Sequence, residues 1–163
     1  MRVPVIAALL FFVSACHASK REVKGVIDAP VGLQRASQEW KDAVMRGDWR
    51  AIMALAEEPS TRQALRESLP DPSDPIANYF FGSKGSVRDF FNRNENLTRR
   101  IIRIKGTGTY YVCYYDPDRF KGEWSPESLR GYSLDLESIV CESFYEREGN
   151  WYLDFDMPIF DGD

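Results

Sequence analysis

Apolar residues between positions 33 and 47 recur with the spacing of one face of a helix. The positions with this spacing are Leu33, Ala36, Trp40, Ala43 and Val44. Polar residues occupy the positions between them, which predicts an amphipathic helix with a single apolar stripe. Gly47 is a residue type that commonly ends a helix, so we expect the helix to end there.

Capping residues predict further helices after this one. Asp48 precedes a second apolar periodic segment, and Ser60-Thr61-Arg62-Gln63 has the spacing of a capping box. The same spacing at Ser86 predicts another short helix. The apolar segment 76–81 fits either a short strand or a helical turn.

The second half of the chain has the composition and alternation of β-strands. Strands are predicted over residues 101–104, 109–115, 138–147 and 151–157, and Glu148-Gly149-Asn150 predicts a hairpin turn between the last two. Helices followed by antiparallel strands predict an α+β fold, with N-terminal helices packed on a curved antiparallel sheet of about four strands.

The first residues have the pattern of an export signal. Met1 and Arg2 give a positive start, and residues 3–13 carry no charge. This apolar run is shorter than the roughly 20 residues that span a bilayer. An N-terminal core helix is the alternative, but no capping residue begins the run and no polar face interrupts it.

The end of that run, Val13-Ser14-Ala15-Cys16, resembles the lipobox of bacterial lipoproteins. The resemblance implies cleavage of a signal peptide over residues 1–15, a lipid on Cys16 that binds the membrane, and a tether over residues 16–32. His17 implies the periplasmic face of the outer membrane, with the inner membrane or the soluble periplasm as alternatives. Ordinary signal-peptidase cleavage after Ala18 is the competing interpretation.

Export also changes the interpretation of the other cysteines. With Cys16 lipidated, Cys113 and Cys141 remain in an oxidising compartment. Both lie in strand-like segments that can pair, which favours a disulfide over two buried free thiols.

The order of elements over residues 33–157 resembles the nuclear transport factor 2-like superfamily, a cone-shaped α+β fold that includes ketosteroid isomerases. The motifs that carry the resemblance are Gly47-Asp48-Trp49 between two helices, Gly85–Phe91 before the sheet, and Gly149–Leu153 in the final hairpin. The resemblance implies a pocket between helices and sheet. Its members include enzymes and binding modules, so the fold does not decide the function.

Composition restricts the chemistry further. The chain has 163 residues, enough for a single domain over residues 33–163, and its net charge of −4 argues against nucleic-acid binding. His17 is the only histidine and lies beside the lipidation site, so histidine-based catalysis and metal ligation are not expected in the domain. The sequence therefore assigns no catalytic residue, metal ligand or cofactor.

Two features are candidates for a contact surface. The long connection over residues 119–137 carries Phe120, Trp124, Leu129 and Tyr132. Long connections often act in binding, and aromatic residues are favoured at interfaces.

The second feature is a basic run on a predicted strand, which contains Arg99, Arg100, Arg103 and Lys105. Such a run fits an acidic partner or anionic lipid headgroups. A solvated strand face, or cross-strand pairing with Glu142 and the aspartates, is the alternative interpretation.

These observations favour a non-catalytic, lipid-anchored periplasmic binding protein with a protein partner. One version is an immunity protein that neutralises an antibacterial effector. The alternatives are a structural envelope lipoprotein and a cone-fold enzyme that uses aspartate and tyrosine in an isomerase- or dehydratase-like reaction. An enzyme requires an open pocket, whereas a cone filled by Trp40, Trp49 and Phe155 argues against one.

Overall fold

Five helices precede four strands in the computed structural model, which describes residues 29–125, 128–129 and 136–155. The helices are α1 (Val31–Arg46), α2 (Trp49–Ala54), α3 (Pro59–Ser68), α4 (Pro75–Phe81) and α5 (Val87–Arg93). The strands are β1 (Thr98–Arg103), β2 (Thr109–Tyr115), β3 (Ile139–Arg147) and β4 (Asn150–Asp154). This order confirms the predicted α+β class.

Helix α1 buries the apolar stripe that its sequence predicts. Leu33, Trp40 and Val44 are fully buried. The helix ends at Gly47, whose φ of 69° lets its N–H reach the carbonyl oxygens of Ala43 and Val44. Glycine adopts this left-handed conformation without steric cost because it has no Cβ.

Side-chain caps begin three of the other four helices. Asp48, Asp74 and Ser86 each accept a hydrogen bond from a backbone N–H in the first turn of α2, α4 and α5. The capping box predicted at Ser60 is wrong, because α3 begins one residue earlier at Pro59. Proline suits the first helical position, where its missing N–H would have no partner within the helix. The ambiguous segment 76–81 is helical.

The four strands form one antiparallel sheet in the order β1-β2-β3-β4. Ile101 lies opposite Val112, and Val112 lies opposite Glu142 on its other side. Glu148 and Gly149 join β3 to β4 with φ values of 53° and 81°. Positive φ at both central positions is the type I′ geometry of a tight hairpin, so the predicted turn is confirmed.

Alternating side chains bury both faces of the sheet. One face, the helix side, packs against the helices through Trp40, Phe90 and Phe144, which are all fully buried. The opposite face, the loop side, holds a second apolar cluster that includes Ile102 and Ile139. The sheet is therefore a central layer between the helices and the segment that follows β2.

A disulfide joins Cys113 and Cys141 on the loop side. The two residues lie directly opposite each other in β2 and β3, and their Cα atoms are 4.1 Å apart. Both are buried. The disulfide predicted from the two strand-like segments is confirmed.

No helix within residues 29–125, 128–129 and 136–155 is long and apolar enough to cross a bilayer. Cys16 and the predicted signal peptide lie outside the described residues, as does the predicted tether up to residue 28. Val31 and Gly32, which were expected at the end of the tether, form the start of α1.

Candidate functional site

Strand β1 forms one edge of the sheet and carries the basic run. It pairs with β2 on one side, and no other described strand pairs with it. The N–H of Ile104 donates to the carbonyl oxygen of Thr109 at 2.9 Å. In an antiparallel pair every second residue directs its backbone groups toward the neighbouring strand, so this bond identifies which residues of β1 face β2. By that alternation, the backbone N–H and C=O groups of Arg99, Ile101 and Arg103 point away from β2. We call these three residues and Arg100 the β1 edge.

Arginine side chains project from both faces of the β1 edge. Arg99 and Arg103 are exposed on the helix side, and Arg100 is half-buried on the loop side. None of the three forms a salt bridge with another residue in the described part of the chain. Because the whole chain has a net charge of −4, the β1 edge is a basic region on an acidic protein.

Tyrosines of β2 lie beside the two exposed arginines. The guanidinium carbon of Arg103 is 5.8 Å from the ring centroid of Tyr110, within the range of a cation–π contact. Arg99 lies opposite Tyr114 in the register. Burial raises the pKa of Tyr114, and the positive charge of Arg99 opposes that rise.

Trp124 extends the β1 edge on the loop side. The guanidinium carbon of Arg100 lies 4.3 Å from the ring centroid of Trp124. Tyr115 and Phe120 contact the same indole ring edge-to-face, each with a centroid separation of 5.0 Å. Trp124 is therefore fixed between the second apolar cluster and Arg100, with part of its surface exposed.

Two of the four residues predicted to form an exposed surface on the long connection belong to the core instead. Phe120 is 8% exposed and Leu129 is fully buried, so the expectation is corrected for both. They cover the loop side of the sheet, where Ile139 is also fully buried. Trp124 is half-buried, and Tyr132 lies outside the described residues.

A carboxylate on the helix side is a feature that sequence reasoning missed. Glu142 of β3 accepts a hydrogen bond of 2.9 Å from the hydroxyl of Tyr79 in α4. Burial raises the pKa of Glu142 to about 7, and the hydrogen bond from Tyr79 opposes the rise. Burial also raises the pKa of Tyr79 well above its ordinary value. The hydrogen bond between Tyr79 and Glu142 therefore links α4 to the sheet.

The position of Glu142 also excludes one interpretation of the basic run. Glu142 lies opposite Val112, in the strand beyond β2, so it does not pair with the arginines of β1. The signal that places it was present in the sequence. Val140 and Phe144 are two residues away on either side and face the helices, so period-two alternation puts Glu142 on the same face.

A second carboxylate–tyrosine pair lies near β4, at the opposite edge of the sheet. The hydroxyl of Tyr145 donates to Glu57 at 2.6 Å, and Arg147 binds the other carboxylate oxygen of Glu57, also at 2.6 Å. Burial and the adjacent Glu57 raise the pKa of Tyr145 above its ordinary value. A cavity of about 140 Å³ beside this pair is also lined by Glu58 and Asp154.

The described residues offer little metal chemistry. No group of three or more histidine, cysteine, aspartate or glutamate side chains within the described ranges is arranged to hold a metal ion. Comparisons of the chain with protein-family models, curated proteins and solved structures find no match. The resemblances to bacterial lipoproteins and to the nuclear transport factor 2-like superfamily therefore stay predictions.

Proposed function

We propose that this protein is a non-catalytic, lipid-anchored periplasmic binding protein, and that the β1 edge with Trp124 contacts an acidic protein partner. The observation that carries the proposal is the run of Arg99, Arg100 and Arg103 along one sheet edge, with Arg100 stacked on Trp124, on a chain of net negative charge. Arginine and tryptophan are the residue types that most often dominate the energy of protein interfaces. Complementary charge also speeds the encounter with the partner.

The packing between the helices and the sheet supports binding over catalysis. Trp40 is fully buried there, and Trp49 and Phe155 pack against the same core. Glu142 and Tyr79 bond to each other across this space. A carboxylate already engaged by a tyrosine from a neighbouring helix supports a structural role for the pair.

The sequence and the disulfide support the anchored location. Val13-Ser14-Ala15-Cys16 fits a lipobox, and the bond between Cys113 and Cys141 fits an oxidising compartment. Mass spectrometry of the membrane fraction should find an acylated amino-terminal Cys16, and the Cys16→Ser variant should lack the lipid. An intact Met1, or an unmodified thiol at position 16 in a soluble fraction, would contradict the proposal.

The contact surface is tested by photo-crosslinking in cells. A photoreactive residue at Lys105, which is exposed next to β1, should form an adduct with one periplasmic protein. The double reversal Arg99→Glu and Arg103→Glu should abolish that adduct. The matched reversal of Arg46 and Arg66, which are exposed on α1 and α3, should leave it unchanged. No adduct, or an adduct insensitive to the first reversal, would overturn the proposed surface.

The immunity version of this function makes a sharper prediction. Cells that express the chain should survive an antibacterial effector encoded by a neighbouring gene, and the double reversal Arg99→Glu and Arg103→Glu should lose that protection. A purified effector that does not bind the chain would exclude this version. Recovery of a structural envelope component in the Lys105 adduct would favour an envelope-assembly role instead.

A further inference from the structure

We infer that the β1 edge binds an extended acidic segment of its partner as an added antiparallel strand, with two acidic side chains four residues apart. This inference rests on the proposed function, because it specifies how the contact surface recognises the partner. It depends on the backbone of β1 as well as on its charges.

The backbone supplies the first part of the argument. Arg99, Ile101 and Arg103 direct their N–H and C=O groups away from β2, as the Ile104–Thr109 hydrogen bond shows. Such an edge is a template for another strand, and main-chain hydrogen bonds give affinity when a peptide adds to it.

The other edge of the sheet is already covered by the chain itself. The N–H of Leu153 in β4 donates to the carbonyl oxygen of Leu55 at 2.9 Å. The segment after α2 therefore contacts the outer side of β4 at Leu153. Of the two edges, β1 is the one whose outward backbone groups form no hydrogen bond within the described part of the chain.

Side chains supply the specificity. Residues that face each other in adjacent antiparallel strands project on the same face of the sheet. Partner residues opposite Arg99 and Arg103 therefore lie on the helix side, next to the two exposed guanidinium groups. The partner residue between these two lies opposite Ile101, which is 7% exposed. An apolar side chain is therefore expected at that partner position. The expected pattern is acidic, any residue, apolar, any residue, acidic.

A second copy of this chain fits the β1 edge poorly. Antiparallel pairing of two β1 strands centred on Ile101 would bring Arg99 of one copy opposite Arg103 of the other. Like charges directly opposite each other destabilise a strand pair. The arginines thus oppose self-association at this edge and favour a strand of opposite charge.

Two peptides of equal composition test the charge pattern. The first is Ser-Glu-Thr-Val-Thr-Glu-Ser, with acidic residues four apart, and the second is Ser-Thr-Glu-Val-Glu-Thr-Ser, with acidic residues two apart. Fluorescence anisotropy with the full mature chain in detergent should show that the first peptide binds about fivefold more tightly or better, because only it places a carboxylate opposite both arginines.

Variants of the protein provide the matched control. The double variant Arg99→Ala and Arg103→Ala should bind the first peptide about fivefold more weakly or worse. The double variant Arg46→Ala and Arg66→Ala removes the same charge at exposed helical positions and should bind it unchanged. Equal losses of affinity in the two double variants would mean that binding depends only on net charge, and would overturn the inference.

The backbone is tested by N-methylation of the central valine of the first peptide. This change removes the N–H that would donate to the carbonyl oxygen of Ile101 and keeps both carboxylates, so it should abolish binding. Hydrogen exchange should slow at the backbone amides of Arg99, Ile101 and Arg103 when the unmodified peptide is added. Equal binding by the methylated peptide, or unchanged exchange, would overturn strand addition.

Two further outcomes separate the possible failures. If vesicles that contain phosphatidylglycerol protect the β1 amides while the first peptide binds no better than the second, the edge binds membrane and the inference is wrong. If neither peptide binds but the Lys105 adduct still depends on Arg99 and Arg103, strand addition is wrong and the proposed function remains.

Discussion

Glu142 should make the protein less stable as the pH rises through neutrality. Burial raises its pKa from the 4.5 of an ordinary glutamate to about 7 in the folded state. Below pH 4.5 the folded and unfolded states both hold the proton. Between pH 4.5 and about 7 the folded state holds a proton that the unfolded state has released. The free energy of unfolding must therefore fall as the pH rises through this interval.

The size of the effect follows from the same two pKa values. A tenfold difference in proton affinity corresponds to about 1.4 kcal/mol. The difference between 4.5 and about 7 therefore corresponds to a loss on the order of 3 kcal/mol once the folded carboxyl has ionised. This is a large fraction of the stability of an ordinary domain, about 5–15 kcal/mol.

The perturbation is Glu142→Gln, which removes the ionisable group and keeps an oxygen that accepts the hydrogen bond of Tyr79. Urea unfolding followed by tryptophan fluorescence at about pH 5 and about pH 8 measures the effect at both ends of the interval. The variant should exceed the wild type in stability at the higher pH, and the difference should shrink at the lower. Glu39→Gln, at an exposed position on α1, is the matched control and should leave the pH dependence unchanged.

Tyr79→Phe gives an independent check of the sign. The hydrogen bond from Tyr79 lowers the pKa of Glu142, so its loss should move the transition to higher pH. Parallel pH curves for the wild type and Glu142→Gln would refute the reasoning, because they would mean that Glu142 titrates alike in the folded and unfolded chains.

Three other changes have expected effects that urea unfolding can measure. Alanine at Cys113, Cys141 or both should lower the free energy of unfolding by about 3.6 kcal/mol, because the bond spans a sequence separation of 28. Single and double variants should lose equal amounts, and losses that add would contradict this. Asp48→Ala should cost about 1 kcal/mol through loss of the α2 cap, and Asp48→Asn should restore it; an equal loss with asparagine would exclude the cap as the cause. Tyr145→Phe should cost about 1–2 kcal/mol because Glu57 loses a short hydrogen bond. An unchanged midpoint would show that water replaces the hydroxyl.

Elements specified by local chemistry were predictable from the sequence. The stripe through Leu33, Trp40 and Val44 and the stop at Gly47 define α1 within a few residues. The hairpin at Gly149 follows from turn residues between alternating segments. The disulfide needed one further assumption, that the strands containing the two cysteines are neighbours, and the sheet order satisfies it.

Elements specified by tertiary contacts were not predictable in the same way. Phe120 and Leu129 lie in a connection without helical or strand periodicity, so nothing in the sequence distinguishes a core residue from an exposed one there. They are buried because they pack over the apolar residues on the loop side of the sheet, which would otherwise be exposed to water. The pairing of Glu142 with Tyr79 likewise depends on α4, which lies 63 residues earlier in the chain.

The two edges of the sheet differ in a way that bears directly on function. At β4, the chain closes the edge with the Leu153–Leu55 hydrogen bond, and Glu57 is held there by Tyr145 and Arg147. At β1, the backbone groups of Arg99, Ile101 and Arg103 are directed outward, no described strand pairs with them, and basic side chains flank them. A sheet with two open edges of matching charge pattern can add strands at both ends and grow without limit. With β4 contacted by the chain itself and β1 basic, the proposed addition would be restricted to a single strand of opposite charge, as the proposed binding to one specific partner requires.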